Sequence, residues 1–297
     1  MESYYYIKNA RADYEYLLKK FSSYSPTLRT GNYDFVYLSR YNDKQLLKLY
    51  NDYALARYQK ENDEIEVFLK VLRWSHEILL YDKQKNYIGT ENATNIIEHC
   101  KREKVTVNCR QHAIVLTEAL LSMGYEARLV CCLPIDVLPY DSHAITAVYS
   151  HKLDKWIALD PARNCCFLNQ EGEMLSVSEI RQCLIRNDKI YFKYLHRFIK
   201  MNSNSKLVQF DDDWYLDYLY KNLFRFYCSR TNGTTDKIPQ YFYHLVPTGY
   251  SEVNNERVFC YENFSNKTIR NTDDLEMFWE KPIYKTKEKN CDFKTYI

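Results

Sequence analysis

Glycine is scarce: the 297 residues include only six. None of them falls in a GxGxxG or GxxxxGK[ST] string, the patterns whose backbone closes around phosphate, so a nucleotide-binding reading has no support. Apolar runs are also missing. The N-terminus, MESYYYIKNARADY, has charges at Lys8, Arg11 and Asp13 where a secretory signal would have an apolar stretch, and no segment is long and apolar enough to span a bilayer. A cytoplasmic protein with no membrane partner is expected. Charge of one sign is lacking too, the net charge being +2. A nucleic-acid partner, which calls for a strongly basic face, is therefore not expected.

The ten cysteines form no CxxC pair and no paired zinc-knuckle spacing. In a reducing compartment they are expected to be free thiols, and Cys131-Cys132 and Cys165-Cys166 read as buried small hydrophobes. No repeat, low-complexity tract or Pro/Gly/Ser linker divides the chain. What is abundant is tyrosine, 29 residues. Such rings usually fill half-buried positions where the body packs and the hydroxyl stays wet, although some could wall a substrate groove.

Hydrophobic spacing predicts helices over about Asp43 to Tyr58, Asp63 to Tyr81 and Ala93 to Glu103, the second opening with a box-like Asp63-x-x-Glu66. The run CRQHAIVLTEALLSM from Cys109 to Met123 predicts a buried helix that Gly124 stops. Three strand-like runs follow: Glu126–Leu133, His143–Ser150 and Lys155–Asp160. The last two flank a plausible hairpin turn at His151–Asp154. Ser176-x-x-Glu179 opens another helix. Asp211–Asp213 precedes a helical Trp214–Phe226, and these acids lack the glycine and spaced oxygens of a calcium loop, so they read as charge at a helix N-terminus.

Within this order one constellation carries chemistry. Cys109 falls in the first turn of its helix, where unpartnered N–H groups and the positive end of the dipole favour a thiolate. The same N–H groups can donate to an oxyanion. His143 opens one strand and Asp160 closes the next. Antiparallel pairing through the turn between them would make them neighbours, so that the acid fixes the imidazole tautomer. His112, three residues after Cys109, competes as the base, but it has no evident carboxylate and shares the nucleophile's helix. Cys109, His112 and His143 could alternatively form a zinc site, with no second tight ligand pair to support it. Asn164 reads as structural.

The strings NCRQHAIVLTEALLSMGYEARLV, DSHAITAVYS and KWIALDPARN together resemble the core of the transglutaminase-like superfamily. The resemblance covers roughly Ile65 to Leu184. It implies an α+β papain/transglutaminase-like fold, with the nucleophile helix packed on an antiparallel sheet, and it matches Cys109, His143 and Asp160-Pro161 to a catalytic triad, with Trp156 as the aromatic before the acid. Val107 departs from the Gly-x-Cys found in many members. The wider chain resembles bacterial, many of them clostridial, members. The implied organisation is an N-terminal extension over residues 1–62, a catalytic core over 63–200 and a C-terminal extension over 201–297, packed as one unit.

Relatives generally supply a second oxyanion donor from before the nucleophile. Trp74 is the candidate taken here, with His76, Asn92 and Asn95 also upstream. The resemblance further implies cysteine-dependent acyl transfer through a thioester. The partners would be an acyl donor, a peptide amide or a thioester that a carrier protein could bear, and an amine acceptor, as in the amide-forming homologues of thiotemplated peptide assembly. No cofactor and no metal is expected. A cysteine protease, peptidase or amidase is the alternative, and a non-catalytic binding module with the same fold is the second.

Overall fold

The hairpin expected between His143 and Asp160 forms the middle of the sheet. In the computed structural model, which describes residues 2–25, 34–82, 87, 89–135, 142–196, 198–201, 206–209, 211–232, 241–250 and 268–285, strand β3 (His143–Ser150) pairs antiparallel with β4 (Lys155–Asp160), Thr146 opposite Leu159 and Ser150 opposite Lys155. Asp154 takes a positive φ of 51° at the turn, a conformation that short polar side chains tolerate best after glycine.

The elements run in this order: α1 (Glu2–Lys20), β1 (Val36–Leu38), α2 (Lys44–Asp52), a 3-10 turn (Leu55–Lys60), α3 (Glu64–Glu77), α4 (Ala93–Glu103), α5 (Cys109–Ser122), β2 (Ala127–Leu133), β3, β4, β5 (Cys165–Leu168) and α6 (Val177–Arg186). Then follow β6 (Tyr191–Tyr194), β7 (Phe198–Met201), β8 (Lys206–Gln209), α7 (Asp212–Asn222), β9 (Arg225–Ser229), β10 (Tyr241–Leu245), β11 (Thr268–Thr272), α8 (Leu275–Phe278) and β12 (Ile283–Lys285). Eight strands make one sheet in the order β11-β10-β9-β2-β3-β4-β5-β6. Its pairs are antiparallel except β10–β11. The fold is the α+β class expected, with the nucleophile helix on an antiparallel-rich sheet.

Helices cover both faces of the sheet, and strand periodicity assigns residues to each. Thr146 Oγ1 meets Thr117 Oγ1 at 3.0 Å and donates to Ala113 O at 3.1 Å, so α5 lies on the face to which Thr146 points. Packed around α5 are α2, α3 and α4. Leu159 shares that face with Thr146, and its neighbour Asp160 therefore points the other way. There Tyr215 of α7 meets it. Arg128, also on this second face, donates to Phe278 O and Glu280 O, tying down the end of α8. Arg11 of α1 pairs with Asp217 of α7 at 3.1 Å, and Arg181 of α6 donates to Leu223 O at 3.1 Å.

Several expectations shift. The helix expected over Asp43–Tyr58 breaks at Ala54, which has φ 49°, and resumes as a 3-10 turn. Helix α3 stops at Glu77, because residues 80–82 are drawn into backbone hydrogen bonds with Val107. Asp63 caps α3 through the N–H of Ile65, whereas Ser176 and Glu179 form the complete capping box. The helix expected to reach Phe226 ends at Asn222, and Arg225–Ser229 is a strand, since these residues pair with β2 at the centre of the sheet. Asp211 caps α7 by accepting from Trp214 N at 3.0 Å, so the acidic run does serve a helix N-terminus. None of the helices among the described residues is long and apolar enough to cross a membrane.

Candidate active site

Asn108 starts α5. Its extended backbone and its side chain, which accepts from Arg110 N at 3.0 Å, place Cys109 as the first helical residue. An Asn at this position satisfies one orphan donor and leaves the others of the first turn available. The segment before it is fixed as well. Val107 N donates to Leu80 O and Asp82 N to Val107 O, both at 2.9 Å, so Tyr81 bridges to Val107 in parallel. This pins Tyr81 beside the nucleophile helix, and its ring packs in a cluster with Ala162, Cys109 and Tyr194. Among the eight described cysteines Cys109 alone is not buried. The adjacent pairs Cys131-Cys132 and Cys165-Cys166 lie on strands and are buried, and burial pushes the thiols of Cys132, Cys165 and Cys166 up.

His143 and Asp160 meet as the hairpin register requires, with His143 Nε2 at 2.7 Å from Asp160 Oδ2. This contact takes Nε2 and leaves Nδ1 as the second ring nitrogen, and Cys109 is close enough to the imidazole to influence its charge. Cys109 Sγ also lies 3.9 Å from Ser142 O. Burial opposes protonation of His143, but the Asp160 carboxylate and the contact with Cys109 outweigh it and push its pKa up to about 9. Asp160 is fully buried, which would raise its pKa. The charge and hydrogen bond of His143, the Tyr215 hydroxyl and the nearby Arg163 hold it below the ordinary carboxylate value instead. Asp160 Oδ1 accepts from Ala162 N at 2.9 Å and from Arg163 N at 3.1 Å, the backbone that turns after Pro161.

The sequence did not single out the side chains that surround this dyad. Tyr215 donates its hydroxyl to Asp160 Oδ2 and lies 3.5 Å from His143 Nε2. Tyr218, one turn along α7, donates to Ser142 O at 2.9 Å and sets its ring edge to face against His143, centroids 5.3 Å apart. Trp214 stacks on Tyr218 at 5.1 Å, and the Arg163 guanidinium lies 4.6 Å from the centre of the Trp214 ring. The i, i+3 spacing of Tyr215 and Tyr218 puts them on one face of α7. Nothing in the sequence indicates that this face meets residues 143 and 160.

Other candidates fall elsewhere. Trp74 packs against Tyr53, ring centroids 5.7 Å apart. His76, two residues on and so on the opposite side of α3, is the residue that turns to the site, its Nδ1 lying 2.8 Å from Pro161 O. Trp74 therefore faces away from Cys109, and the upstream aromatic beside the thiol is Tyr81. Asn92 caps α4 by accepting from Asn95 N at 2.9 Å, which accounts for both of those residues. His112 is completely buried between the rings of His76 and Tyr81, at 6.0 and 5.9 Å, and burial followed by the charge of His76 lowers its pKa to about 3. A base so placed has no acid to orient it. No group of three or more His, Cys, Asp or Glu among the described residues is arranged to hold a metal ion. Asn164 takes a positive φ of 52° and its carbonyl accepts from Leu195 N, a turn-forming role. Trp156, the aromatic before the acid, donates to Trp279 O at 2.7 Å on the second face.

The arrangement sets a thiol at a helix start, against the carbonyl of Ser142, near an imidazole that is paired with a buried carboxylate. Residues 53–161 match the family model of the transglutaminase-like superfamily, somewhat over a third of the chain. The matched stretch contains Cys109, His143 and Asp160 and ends before α7. Among solved structures, the chain is similar to a proposed cysteine protease from Cytophaga hutchinsonii, with 19% identity, a TM-score of 0.31, and coverage of 46% of this chain and 43% of that one. The chain thus spans less than half the length of that protein. No curated protein matches it.

Proposed function

We propose that the protein captures an acyl group on Cys109 and delivers it to an amine, forming an amide. The observation that carries this reading is the placement of the sole unburied described cysteine at a helix start beside a buried His143–Asp160 pair. In the first step the Cys109 thiolate adds to the carbonyl carbon of a donor R–CO–X. The oxyanion takes hydrogen bonds from backbone N–H at the start of α5 and from the Tyr81 hydroxyl. As the C–X bond breaks, His143 gives its Nδ1 proton to X, which leaves as HX, and the thioester R–CO–S–Cys109 remains. An amine R′NH2 then adds to the thioester and its proton goes to neutral His143. The C–S bond breaks and the thiolate returns. The net change is R–CO–X plus R′NH2 to R–CO–NHR′ plus HX.

Water can take the place of the amine in the second step, and the triad chemistry is the same for both. Transfer is favoured where water is kept from the thioester. The packing of Tyr81, Ala162 and Tyr194 around Cys109, with Tyr218 over His143, supports that outcome. A carrier-protein thioester in peptide natural-product assembly is the donor we propose. A short thioester donor such as an acyl-N-acetylcysteamine serves as the test. Intact-mass measurement is expected to find one acyl adduct on the wild type and none on Cys109→Ala. Added primary amines are expected to discharge the adduct as amide. Free acid at the same rate with and without amine would make the protein a hydrolase, and an adduct on Cys109→Ala would remove the nucleophile assignment.

A further inference from the structure

We propose that Tyr215 of α7 is a positioning residue that restrains the basicity of His143 by sharing Asp160 with it. The inference rests on the triad reading above and adds an element that lies outside the family-matched residues 53–161.

Asp160 offers two oxygens, and each accepts from two directions. Ala162 N and Arg163 N occupy Oδ1. His143 Nε2 and the Tyr215 hydroxyl share Oδ2. A hydrogen bond to a carboxylate draws negative charge toward its donor, and less of that charge then remains to stabilise an imidazolium at the same oxygen. Tyr215 is fully buried, its ring lies 5.0 Å from Phe192 and 6.1 Å from Phe167, and the hydroxyl has no solvent to turn to. Helix α7 holds it there through Asp211 at the helix start and through Arg11, which pairs with Asp217. The second contact of α7, Tyr218 O–H to Ser142 O, fixes the backbone immediately before His143. The helix therefore grips the dyad both through the carboxylate and through the main chain.

Among the described residues, the charged and titratable groups facing His143 are few. They are Asp160 from β4, Cys109 from α5, Tyr215 and Tyr218 from α7, and Cys132, its register partner on β2, whose thiol burial pushes well up. Arg163 acts on Asp160 from behind. Tyr215 and Tyr218 are held neutral, first by burial, and then by the charge of Asp160 for Tyr215 and of Cys109 for Tyr218. Of these groups only Tyr215 competes with His143 for one atom. Its consequence lies in the second half-reaction, where His143 must be neutral to accept the amine proton. Each step that raises the His143 pKa reduces the neutral fraction near pH 7 in proportion.

The test compares Cys109→Ala with Cys109→Ala/Tyr215→Phe by titrating His143 through its imidazole 15N signals, a readout that needs no turnover. The phenylalanine keeps the ring contacts and removes only the hydroxyl. The His143 midpoint is expected to move up by roughly half a pH unit or more. In the Cys109 protein, Tyr215→Phe is expected to slow deacylation at pH 7 about threefold, in step with that midpoint. Site-specific replacement of Tyr215 by trifluorotyrosine, a stronger donor of the same shape, is expected to move the midpoint down, and it supplies the answer should the phenylalanine variant fold poorly. An unchanged midpoint in both variants would overturn the proposal. A shifted midpoint in a protein that forms no acyl adduct would keep this inference and reject the acyl-transfer reading instead.

Discussion

Replacing Asp160 by Asn changes one atom of a fully buried side chain, and its effect can be worked out from the neighbours. Ala162 N and Arg163 N both point at Oδ1. An asparagine must keep its oxygen there, since the flipped amide would set N–H against two N–H donors. Its NH2 then faces His143 Nε2. That nitrogen must accept rather than donate, which puts the imidazole proton on Nδ1, the nitrogen that the proposed acyl transfer assigns to the thiol. In this tautomer the ring cannot take the thiol proton. An analogous wrong tautomer in the serine proteases costs about 10⁴-fold in kcat, and a loss of about 10³-fold or more in acylation is expected here.

The same substitution has a signature in stability. His143 has a folded pKa of about 9 against an ordinary value of 6.5. A group whose pKa is raised on folding contributes stability that is fully present below its unfolded pKa and is lost as pH rises through the folded one. The difference corresponds to about 3 kcal/mol, present at pH 6 and gone above about pH 9 to 10. In Asp160→Asn the carboxylate is absent, burial dominates, and this loss across pH 6.5–9 is expected to vanish. Urea unfolding of both proteins at intervals from pH 6 to 10 measures it. Parallel stability curves for wild type and variant, together with undiminished acylation, would refute the ion-pair reasoning.

Two further outcomes follow from named contacts. Tyr81→Phe removes the hydroxyl of the ring that packs against Cys109, here proposed as an oxyanion donor, and because such a donor acts mainly in the transition state, acylation is expected to fall about 10²-fold with KM little changed. Stopped-flow acylation measures this, and a rate within about threefold of wild type would return the second donor to another group. Arg128→Met keeps an apolar stem under Phe35, over whose ring the guanidinium now sits at 3.6 Å, but leaves Phe278 O and Glu280 O without their donor. The expected cost is about 2–4 kcal/mol, read from the urea midpoint with site activity retained.

The legible part of the site was the part built from local sequence. Cys109 at a helix start is announced by the apolar spacing of the run from Cys109 to Met123 and by Gly124 after it, while the Asn108 cap emerges only from the structure. The His143–Asp160 contact follows from one hairpin, two apolar runs joined by the short turn at His151–Asp154. The fold class was legible for the same reason, since the nucleophile helix and the central strands are contiguous. Strands β9 to β11 were hidden because their partners lie far along the chain: Arg225–Ser229 continues a helical-looking stretch and becomes strand only because β2 presents an open edge. Tyr81 and Trp74 show the same limit at short range. Both precede the nucleophile and both are aromatic, and only the pairing of residues 80–82 with Val107 decides which one stands beside the thiol. Tyr215 and Tyr218 are two among 29 tyrosines, and no pattern in α7 distinguishes a ring that meets the His143–Asp160 pair from one that fills a core.

The saturation of Asp160 limits what the triad can do with a proton. Four donors converge on its two oxygens: two backbone N–H groups, one phenol and one imidazole. Protonating the carboxyl would place an O–H where one of these donors already points, and the displaced donor would be buried without a partner, a cost of about 1–3 kcal/mol beyond the intrinsic preference for ionisation. Asp160 therefore stays ionised whether His143 is charged or neutral, consistent with the depressed pKa that its neighbours impose. In the proposed acyl transfer, the proton then moves only among Cys109, His143 and the substrate. The acid at the back of the site orients the ring and stabilises its charge, and the donors from the turn after Pro161 and from α7 keep it from doing anything else.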